Sequence, residues 1–466
     1  MEEYILENNL KLIYKHTESE LTSICISIGA GAGVEIEKYG IAHATEHMVY
    51  KGTKNRTEKE INEDLSNTFG FNNAMTNFPY VIYYGTLLGE DLKKGVELLS
   101  DIVINPSFND EGFKEEMDVI KEELQEWDEE LEQYCEDKLF LNCFNNRRIK
   151  YPIIGTRESL ESMTLNDIKK FYNEYYFPEN TSIVVISSVK FEDVKEVVDI
   201  YFSSWKDKTI KNEVFDKIKD KLTSDKMMDS KFKDNLMKDV LEKNLKISDI
   251  EQKIMGYVLD KFNTEMKLAN EMIKERKIEY EIPKVDVFNN KRDGAQTCKV
   301  EMICPIDNLN EKEMKLLRIF NQYFGEGVNS ILYDTLRTKN GIIYDVITKI
   351  AHENYIKLYK ITFSTAKENV NKSIALVKEC IEKLELLEQP LDKKQIEQLI
   401  KNFKLKRLFR EEQSIVLAKE LATYNTMFGD YKIYINEVND LELLTSEAIF
   451  EIGSRVLANL TIQIVE

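Results

Sequence analysis

The chain has 466 residues, of which 42% are hydrophobic and 32% are charged, and its formal net charge is −19 at pH 7. This length predicts two to four domains, each able to bury a full core, and the composition is typical of a soluble globular protein. The negative charge argues against a nucleic-acid partner, because binding one requires clustered lysine and arginine side chains that neutralise its phosphates.

A membrane partner is also not expected from the sequence. No apolar run approaches the roughly 20 residues that a membrane-spanning helix needs. The first residues, MEEYILENNLKL, are acidic and mixed, whereas a secretory signal has a basic flank and an apolar centre. We therefore expect a cytoplasmic protein. The six cysteines form no CxxC pair and lie in apolar stretches, which predicts buried free thiols.

Taken in chain order, the sequence of the first half predicts strands and helices of an α+β domain. Alternating residues at 23–36 and an apolar run at 80–88 predict strands, and residues 43–50 predict a helix. Two longer helices are predicted at 91–106 and 112–134, the first of them closed by a proline. The half ends with TLNDIKKFYNEYYFPENTSIVVISS, which predicts a capped amphipathic helix, a turn and an apolar strand.

The second half repeats features of the first. Its last residues, TSEAIFEIGSRVLANLTIQIVE, again predict a helix, a turn and a terminal strand. The segment TCKVEMICPI predicts a strand equivalent to the one at 23–32, and GVNSILYDTLR predicts a helix equivalent to the one at 43–50. The expected fold class is therefore α+β, with two homologous domains that are each an antiparallel sheet packed by helices.

Domain boundaries follow from a change in composition between the halves. We expect an N-terminal domain at 1–205, a charged helical insertion at 206–282 and a homologous C-terminal domain at 283–466. The middle segment is rich in lysine and acidic residues, yet its apolar residues recur at helical spacing, as in ISDIEQKIMGYVLDKF. Its simplest role is spacing or solubility, and gating or partner docking is the alternative.

The histidines of the segment GIAHATEHMVYKGT suggest a metal site. On a helix, His43, Glu46 and His47 project from the same face, because residues three and four apart are neighbours there. Two imidazoles at this spacing can hold one zinc ion, and Glu46 can take a proton from a water molecule beside it. A helix with two ordinary hydrogen-bonded histidines remains the alternative for this motif alone.

A third metal ligand is expected from the acidic helix predicted at 112–134, although a solvated run of charges is the simpler interpretation of most of its carboxylates. Steps of 100° per residue place an apolar arc on this helix. Glu116 and Glu123 fall within the arc, whereas Glu122 points away from it. Because an unpaired carboxylate in a core costs several kcal/mol, a metal site would explain both residues, with Glu123 as ligand and Glu116 as its support.

Together these residues resemble the pitrilysin/insulinase (M16) family of zinc metallopeptidases, whose HxxEH motif inverts the zincin motif. The resemblance is to the small mitochondrial-processing-peptidase-like group. It implies the M16/LuxS-like fold, one zinc ion per chain and a chamber closed by two chains. It also implies that His43, His47 and Glu123 bind zinc, that Glu46 is the general base and that Glu116 supports the site.

Two further segments resemble functional parts of the same family. GFNNAMTNFPYVIYYG is similar to its substrate-pairing edge strand, which assigns Asn73 and Ala74 to backbone binding of an extended peptide. LRTKNGIIYDV is similar to its Arg and Tyr pair, which assigns Arg337 and Tyr344 to stabilising the reaction intermediate. Without the resemblance, the first segment would be read as an ordinary hairpin and the second pair would mean little. The family implies that the pair reaches the zinc of a partner chain.

The expected function is that of a zinc-dependent endopeptidase that hydrolyses short or unfolded peptides inside a closed dimeric chamber, with maturation of a single peptide as one form of this activity. The partner chain would be a second copy or a paralogous chain. The alternative is a non-catalytic scaffold or substrate-presenting subunit of a heterodimeric processing peptidase. Ala44 and Thr45 are smaller than the bulky residues that the family often carries between its histidines, which affects packing more than ligation.

Overall fold

The computed structural model describes residues 1–205, 280–385 and 390–466. The described residues of both halves belong to one compact unit. Nearly all of the segment expected to be a helical insertion, 206–282, lies outside the described residues.

The first half is built on a six-stranded sheet with the order β1-β2-β6-β3-β5-β4. Its strands are β1 (Glu2–Ile5), β2 (Lys11–His16), β3 (Leu21–Ile28), β4 (Phe69–Thr76), β5 (Val81–Leu88) and β6 (Thr181–Ser187). All neighbours pair antiparallel except β2 and β6, which are parallel. The predicted antiparallel sheet is therefore correct apart from this pair, and β4 lies at one edge.

The described residues of the first half also form helices between and after these strands. They are α1 (Ile41–Val49), α2 (Glu58–Thr68), α3 (Leu92–Ile104), α4 (Asp110–Glu129), α5 (Leu131–Cys143), α6 (Arg157–Glu161), α7 (Leu165–Tyr175) and α8 (Phe191–Phe202). The single helix predicted at 112–134 is wrong, because Glu130 adopts an extended conformation with ψ of 112° and separates α4 from α5. Periodicity could not show this break, since helix-forming residues lie on both sides.

The second half has a five-stranded sheet with the order β7-β11-β8-β10-β9. Its strands are β7 (Val287–Asn290), β8 (Cys298–Pro305), β9 (Ile343–Glu353), β10 (Ile356–Thr365) and β11 (Thr461–Val465). Its helices are α9 (Glu311–Phe324), α10 (Ile331–Tyr333, which continues as a π-helical turn over Asp334–Lys339), α11 (Val370–Glu385), α12 (Lys393–Glu411), α13 (Ser414–Phe428), α14 (Lys432–Asn436) and α15 (Ser446–Leu457). Again one pair, β7 with β11, is parallel.

The two sheets share one strand order, which confirms the predicted repeat. Strands β7, β11, β8, β10 and β9 occupy the positions of β2, β6, β3, β5 and β4. One predicted correspondence is wrong: the helix in GVNSILYDTLR is α10, which precedes β9 as α2 precedes β4. The counterpart of α1 is α9, which follows β8 and packs on α15 as α1 packs on α7. Chain order between strands decides this correspondence, and helix periodicity alone does not reveal it.

Each half covers one face of the other half's sheet. The outer face of the first sheet packs against α13 through Ile13, Cys25, Ile82, Tyr84, Val184, Ile186, Leu417, Leu421 and Ala422. The outer face of the second sheet packs against α5 through Leu139, Phe140, Cys143, Ile303 and Leu358. The inner faces form separate cores with their own helices. Both sheets are therefore buried on two sides.

Composition also led to expectations about the membrane and the cysteines. Within the described ranges, no helix combines the length and the apolar character needed to cross a membrane. All six cysteines are buried and free, as the sequence predicted.

The contact between α13 and the first sheet predicts a large loss of stability when it is weakened. Leu421 is fully buried there, so Leu421→Ala leaves a cavity and should lower the free energy of unfolding by about 2–5 kcal/mol. Urea denaturation followed by circular dichroism measures this change. The control Leu408→Ala, on α12 at a side chain that is 62% exposed, should change it by less than about 0.5 kcal/mol. Equal effects of the two variants would contradict the packing described.

Candidate metal centre and active site

Helix α1 begins at a constrained position. Its N-cap, Gly40, has a φ of 91°, and a Cβ atom there would lie 2.4 Å from the carbonyl oxygen of Ile154. Because glycine has no capping side chain, Glu35 takes this role: its carboxylate accepts hydrogen bonds from the backbone N–H groups of Gly40, at 3.0 Å, and Ala42, at 2.9 Å. Arg148 donates to the same carboxylate through Nε at 2.8 Å. A buried ion pair therefore fixes the start of the helix.

Three donor atoms converge between α1 and α4. The Nε2 atoms of His43 and His47 are 3.2 Å apart, and Glu123 Oε2 lies 3.8 Å and 3.6 Å from them, respectively. A tetrahedral zinc ion with Zn–N bonds of about 2.0–2.1 Å requires ligand atoms separated by about 3.3–3.4 Å. The two imidazoles and one carboxylate therefore fit a zinc ion by type and by spacing. No other such trio of His, Cys, Asp or Glu occurs among the described residues.

The two histidines differ in how they are held. His47 Nδ1 lies 2.8 Å from Glu116 Oε1, and Lys51 Nζ lies 3.4 Å from the other oxygen of Glu116. Burial alone would lower the pKa of His47, but the hydrogen bond that its ring donates to Glu116 and the nearby carboxylates raise it. His43 Nδ1 is buried without a hydrogen-bond partner in the part of the chain that the structure describes. Burial and the neighbouring His47 lower the pKa of His43 to about 3, which keeps it neutral, as a metal ligand must be.

Glu46 lies beside this cluster and is itself buried. Its Oε2 accepts a hydrogen bond of 2.5 Å from the Thr76 hydroxyl at the end of β4. Burial raises the pKa of Glu46, and the Thr76 hydrogen bond opposes that rise. Sequence reasoning did not identify Thr76. The available signal was strand alternation, since Thr76 lies two residues after Ala74 and therefore on the same face of β4.

Of the other predicted residues, three lie in edge strands and Arg337 lies in the π-helical turn before β9. Asn73 and Ala74 lie in the edge strand β4, where the Ala74 N–H donates to Asn73 Oδ1 at 2.8 Å. The guanidinium of Arg337 donates to the carbonyl oxygen of Tyr344 and lies 4.5 Å from its ring centre. Tyr344 is 81% exposed, in the edge strand β9. Among the described residues, no hydrogen bond or ion pair joins Arg337 or Tyr344 to His43, Glu46, His47 or Glu123. The pair is thus formed, but it is not joined to the histidine cluster.

Comparison with known proteins identifies the family. The model for insulinase (peptidase family M16) matches residues 11–157, and the model for the peptidase M16 inactive domain matches residues 162–403. The chain belongs to peptidase family M16. This membership confirms the resemblance expected from HATEH and the acidic helix.

Curated relatives match this chain mainly over one half. It is 27% identical to an uncharacterized zinc protease, YmxG, of Bacillus subtilis over 44% of this chain and 50% of that protein. It is 30% identical to an uncharacterized zinc protease of Rickettsia bellii (43% and 49%) and 29% identical to the mitochondrial-processing peptidase subunit beta of Neurospora crassa (42% and 42%). The chain therefore spans about half the length of the curated relatives it matches.

Solved structures show the same fold. A protease from Helicobacter pylori superposes with a TM-score of 0.77 at 18% identity, covering 100% of this chain and 99% of that one. An M16-like peptidase from Alicyclobacillus acidocaldarius has a TM-score of 0.72 at 14% identity, covering 100% and 97%. The two-domain α+β M16 fold is therefore established.

The second half of the M16 fold carries no copy of the metal motif. Helix α9, the counterpart of α1, has the sequence EKEMKLLRIFNQYF without a histidine. The two histidines outside α1 are His16, in β2, and His352, in β9. This agrees with the match of the second half to an inactive domain.

The Glu35–Arg148 pair predicts a pH-dependent stability effect. Burial raises the pKa of Glu35 and Arg148 opposes this rise, so Arg148→Met should leave an uncompensated charge and cost about 3–5 kcal/mol near neutral pH. A carboxyl whose pKa is higher in the folded state loses stability as pH rises between its unfolded and folded pKa values. The deficit should therefore shrink as pH falls from about 7 to about 5.

Urea denaturation of Arg148→Met and wild type across this pH range tests the prediction. Arg157→Met changes an exposed arginine nearby and serves as the control, with an expected change below about 0.5 kcal/mol. A deficit that grows towards low pH would show that Glu35 is not the affected group.

Proposed function

We propose that this M16 chain is a zinc-dependent endopeptidase that hydrolyses short or unfolded peptides, including peptides that require maturation. His43, His47 and Glu123 would hold one zinc ion. The observation that carries the proposal is the spacing of these three donor atoms. The Glu46 carboxylate lies on α1, the helix that also carries both histidines. The zinc-protease names of the relatives in Bacillus subtilis and Rickettsia bellii support it.

The residues around the proposed metal divide the chemistry between them. Bound zinc supplies a Lewis acid that polarises a carbonyl group and acidifies water. Glu46 accepts a proton from the attacking water and returns it to the leaving amine. Its burial makes the carboxylate more basic, and the Thr76 hydrogen bond fixes its orientation. Glu116 holds the His47 ring through Nδ1 and leaves Nε2 beside His43 Nε2 and Glu123, where it would serve as a metal ligand.

Substrate would bind as an added strand on the β4 edge. Backbone groups on this edge can pair with an extended peptide, with Asn73 and Ala74 at the centre. In the free chain, the Asn73 side chain accepts the hydrogen bond of the Ala74 N–H. A peptide carbonyl would replace the Asn73 side chain as the acceptor. The Ala74 N–H would then have a hydrogen-bond partner both with and without substrate.

Arg337 and Tyr344 would complete the site from a second chain. The Tyr344 side chain is largely exposed, and Arg337 is fixed against its ring and its backbone carbonyl. A guanidinium and a phenol suit stabilisation of the negative charge that develops on the carbonyl oxygen. The partner would be a second copy or a paralogous chain, and the naming of one group of relatives as a subunit beta agrees with such an assembly.

Replacing the proposed base separates metal binding from hydrolysis. Glu46→Gln should retain zinc, because the three donors remain, and should lower kcat by at least about 10²-fold. Zinc content by elemental analysis and peptide cleavage by mass spectrometry measure both properties. Glu122→Gln changes an exposed carboxylate on α4 and should leave both unchanged. Full activity of zinc-loaded Glu46→Gln would contradict the proposed mechanism. A wild-type protein that neither binds zinc nor cleaves peptides would favour the scaffold alternative.

Mixing two inactive variants tests whether the site is shared between chains. Glu46→Gln and Arg337→Ala each disable a different part of the proposed site. If the parts come from different chains of a homodimer, an equimolar mixture should recover about a quarter of wild-type activity, because half of the dimers are mixed and each holds one intact site. Each variant alone is the control. A mixture as inactive as its components would place both parts in one chain or exclude the homodimer.

A further inference from the structure

A cavity of about 680 Å³ lies beside the edge strand β4. Met75 of β4 and Tyr80 and Ile82 of the following hairpin line one wall, and side chains of α9, β9, α12 and α13 line the rest. The cavity thus lies between the edge proposed to bind substrate and the second half of the same chain.

Strand alternation places the cavity on the face of the first sheet opposite to α1. Thr76 bonds to Glu46 of α1, and Ala74 packs in the core that contains α1. Met75 lies between these two residues in sequence and so points the other way. Its cross-strand partner Ile82 packs in the cluster formed with α13. A peptide added to β4 alternates in the same way, so every second side chain would project on the cavity side.

Cationic groups outnumber carboxylates in the cavity. Six basic side chains face four carboxylates: Arg318, Lys349, Lys406, Arg407, Arg410 and Lys419. Lys349 and Arg410 are exposed, and the Lys419 ammonium lies 4.6 Å from the ring centre of Tyr84. A local excess of positive charge is unusual in a chain whose net charge is −19.

The carboxylates of the cavity are mostly engaged within the chain. Glu326 pairs with Lys406 at 3.0 Å, and Glu353 accepts a hydrogen bond from Asn77 at 3.1 Å. Glu437 accepts hydrogen bonds from Arg318 and from Arg407. The fourth carboxylate, Glu420, has its pKa raised by burial. These contacts also engage Arg318, Lys406 and Arg407. Lys349, Arg410 and Lys419 are the basic side chains left for a ligand, and they form the basic rim of the cavity.

One further donor adds to the positive character of the cavity. The guanidinium of Arg318 donates to Glu437, but its buried Nε has no hydrogen-bond partner among the residues that the structure describes. His352 is neutral, because burial and the nearby Arg318 and Lys357 lower its pKa to about 3. A buried donor without a partner beside a cavity indicates a missing acceptor. Together with the cations of the rim, this donor favours an anionic group as the ligand.

We propose that this cavity is a specificity pocket that selects peptides with an aspartate or glutamate on the cavity side of the strand added to β4. The proposal rests on the strand addition proposed above. It supplies side-chain selectivity that backbone pairing at an edge strand does not provide. Arg410 and Lys419 are the rim residues assigned to the acidic side chain, and the exposed Met75 contacts its aliphatic part.

Binding to Glu46→Gln tests the pocket without turnover. Fluorescence anisotropy would measure the affinity of labelled peptides of about eight residues, identical except for one glutamate or glutamine moved along the chain. Glutamate should bind more tightly by about five- to tenfold at every second position and not at the positions between them. Arg410→Glu and Lys419→Glu, made separately in the same background, should each abolish or reverse this preference. Lys394→Glu, at an exposed position of α12 outside the cavity, should leave it intact.

Three results would contradict the pocket proposal. These are a glutamate preference that is equal at all positions, a preference that neither rim variant changes, or no peptide binding at all. Failure of the peptidase proposal can be told apart from failure of the pocket proposal. A chain that cleaves no peptide can still prefer glutamate at every second position of a bound peptide. Conversely, cleavage by wild type without positional glutamate preference would retain the peptidase and reject the pocket. Thermal melting of each variant confirms that its fold is retained.

Discussion

Mutual covering of the two sheets is the constraint on which the rest of this structure depends. The central strands β3 and β8 are buried on both faces, so each sheet needs helices on two sides. Its own half supplies one layer, and a single helix of the other half supplies much of the second, α13 on the first sheet and α5 on the second. Apolar surface of this extent cannot be left in water without a large cost, so neither half is a complete folding unit by its contacts.

This constraint extends through α4 and α5 to the cluster of His43, His47 and Glu123. Helix α5 is fixed on the second sheet, and the extended residue Glu130 joins it to α4. Across this junction, Trp127 Nε1 donates to Asp137 at 2.8 Å, and burial raises the pKa of Asp137 to about 6. Helix α4 carries Glu116 and Glu123. The position of Glu123 relative to the two histidines therefore depends on contacts made by the second half of the chain.

The spacing of residues along a single helix is sufficient to predict which of its side chains lie on one face. His43 and His47 follow from four-residue spacing, and Glu116 and Glu123 follow from steps of 100°. Thr76 could not be found in this way, because its contact with Glu46 depends on the packing of β4 against α1. The break at Glu130 was missed for a similar reason, since it results from packing on the second sheet. The strand order, which corrected the counterpart of α1, is likewise a tertiary property.

The edge strand β4 has a consequence for how the chain avoids self-association. An open edge with partly exposed apolar residues, here Phe71 and Met75, is a template on which another chain can pair and aggregate. Proteins usually protect such edges permanently with charges, prolines or bulges, but the edge that we propose to bind peptides must stay available. In the free chain, the Asn73 side chain accepts the hydrogen bond of the Ala74 N–H and so covers one backbone donor of the edge. Under the proposed strand addition, a peptide carbonyl would displace it, and protection of the edge and access to it would be two positions of one side chain.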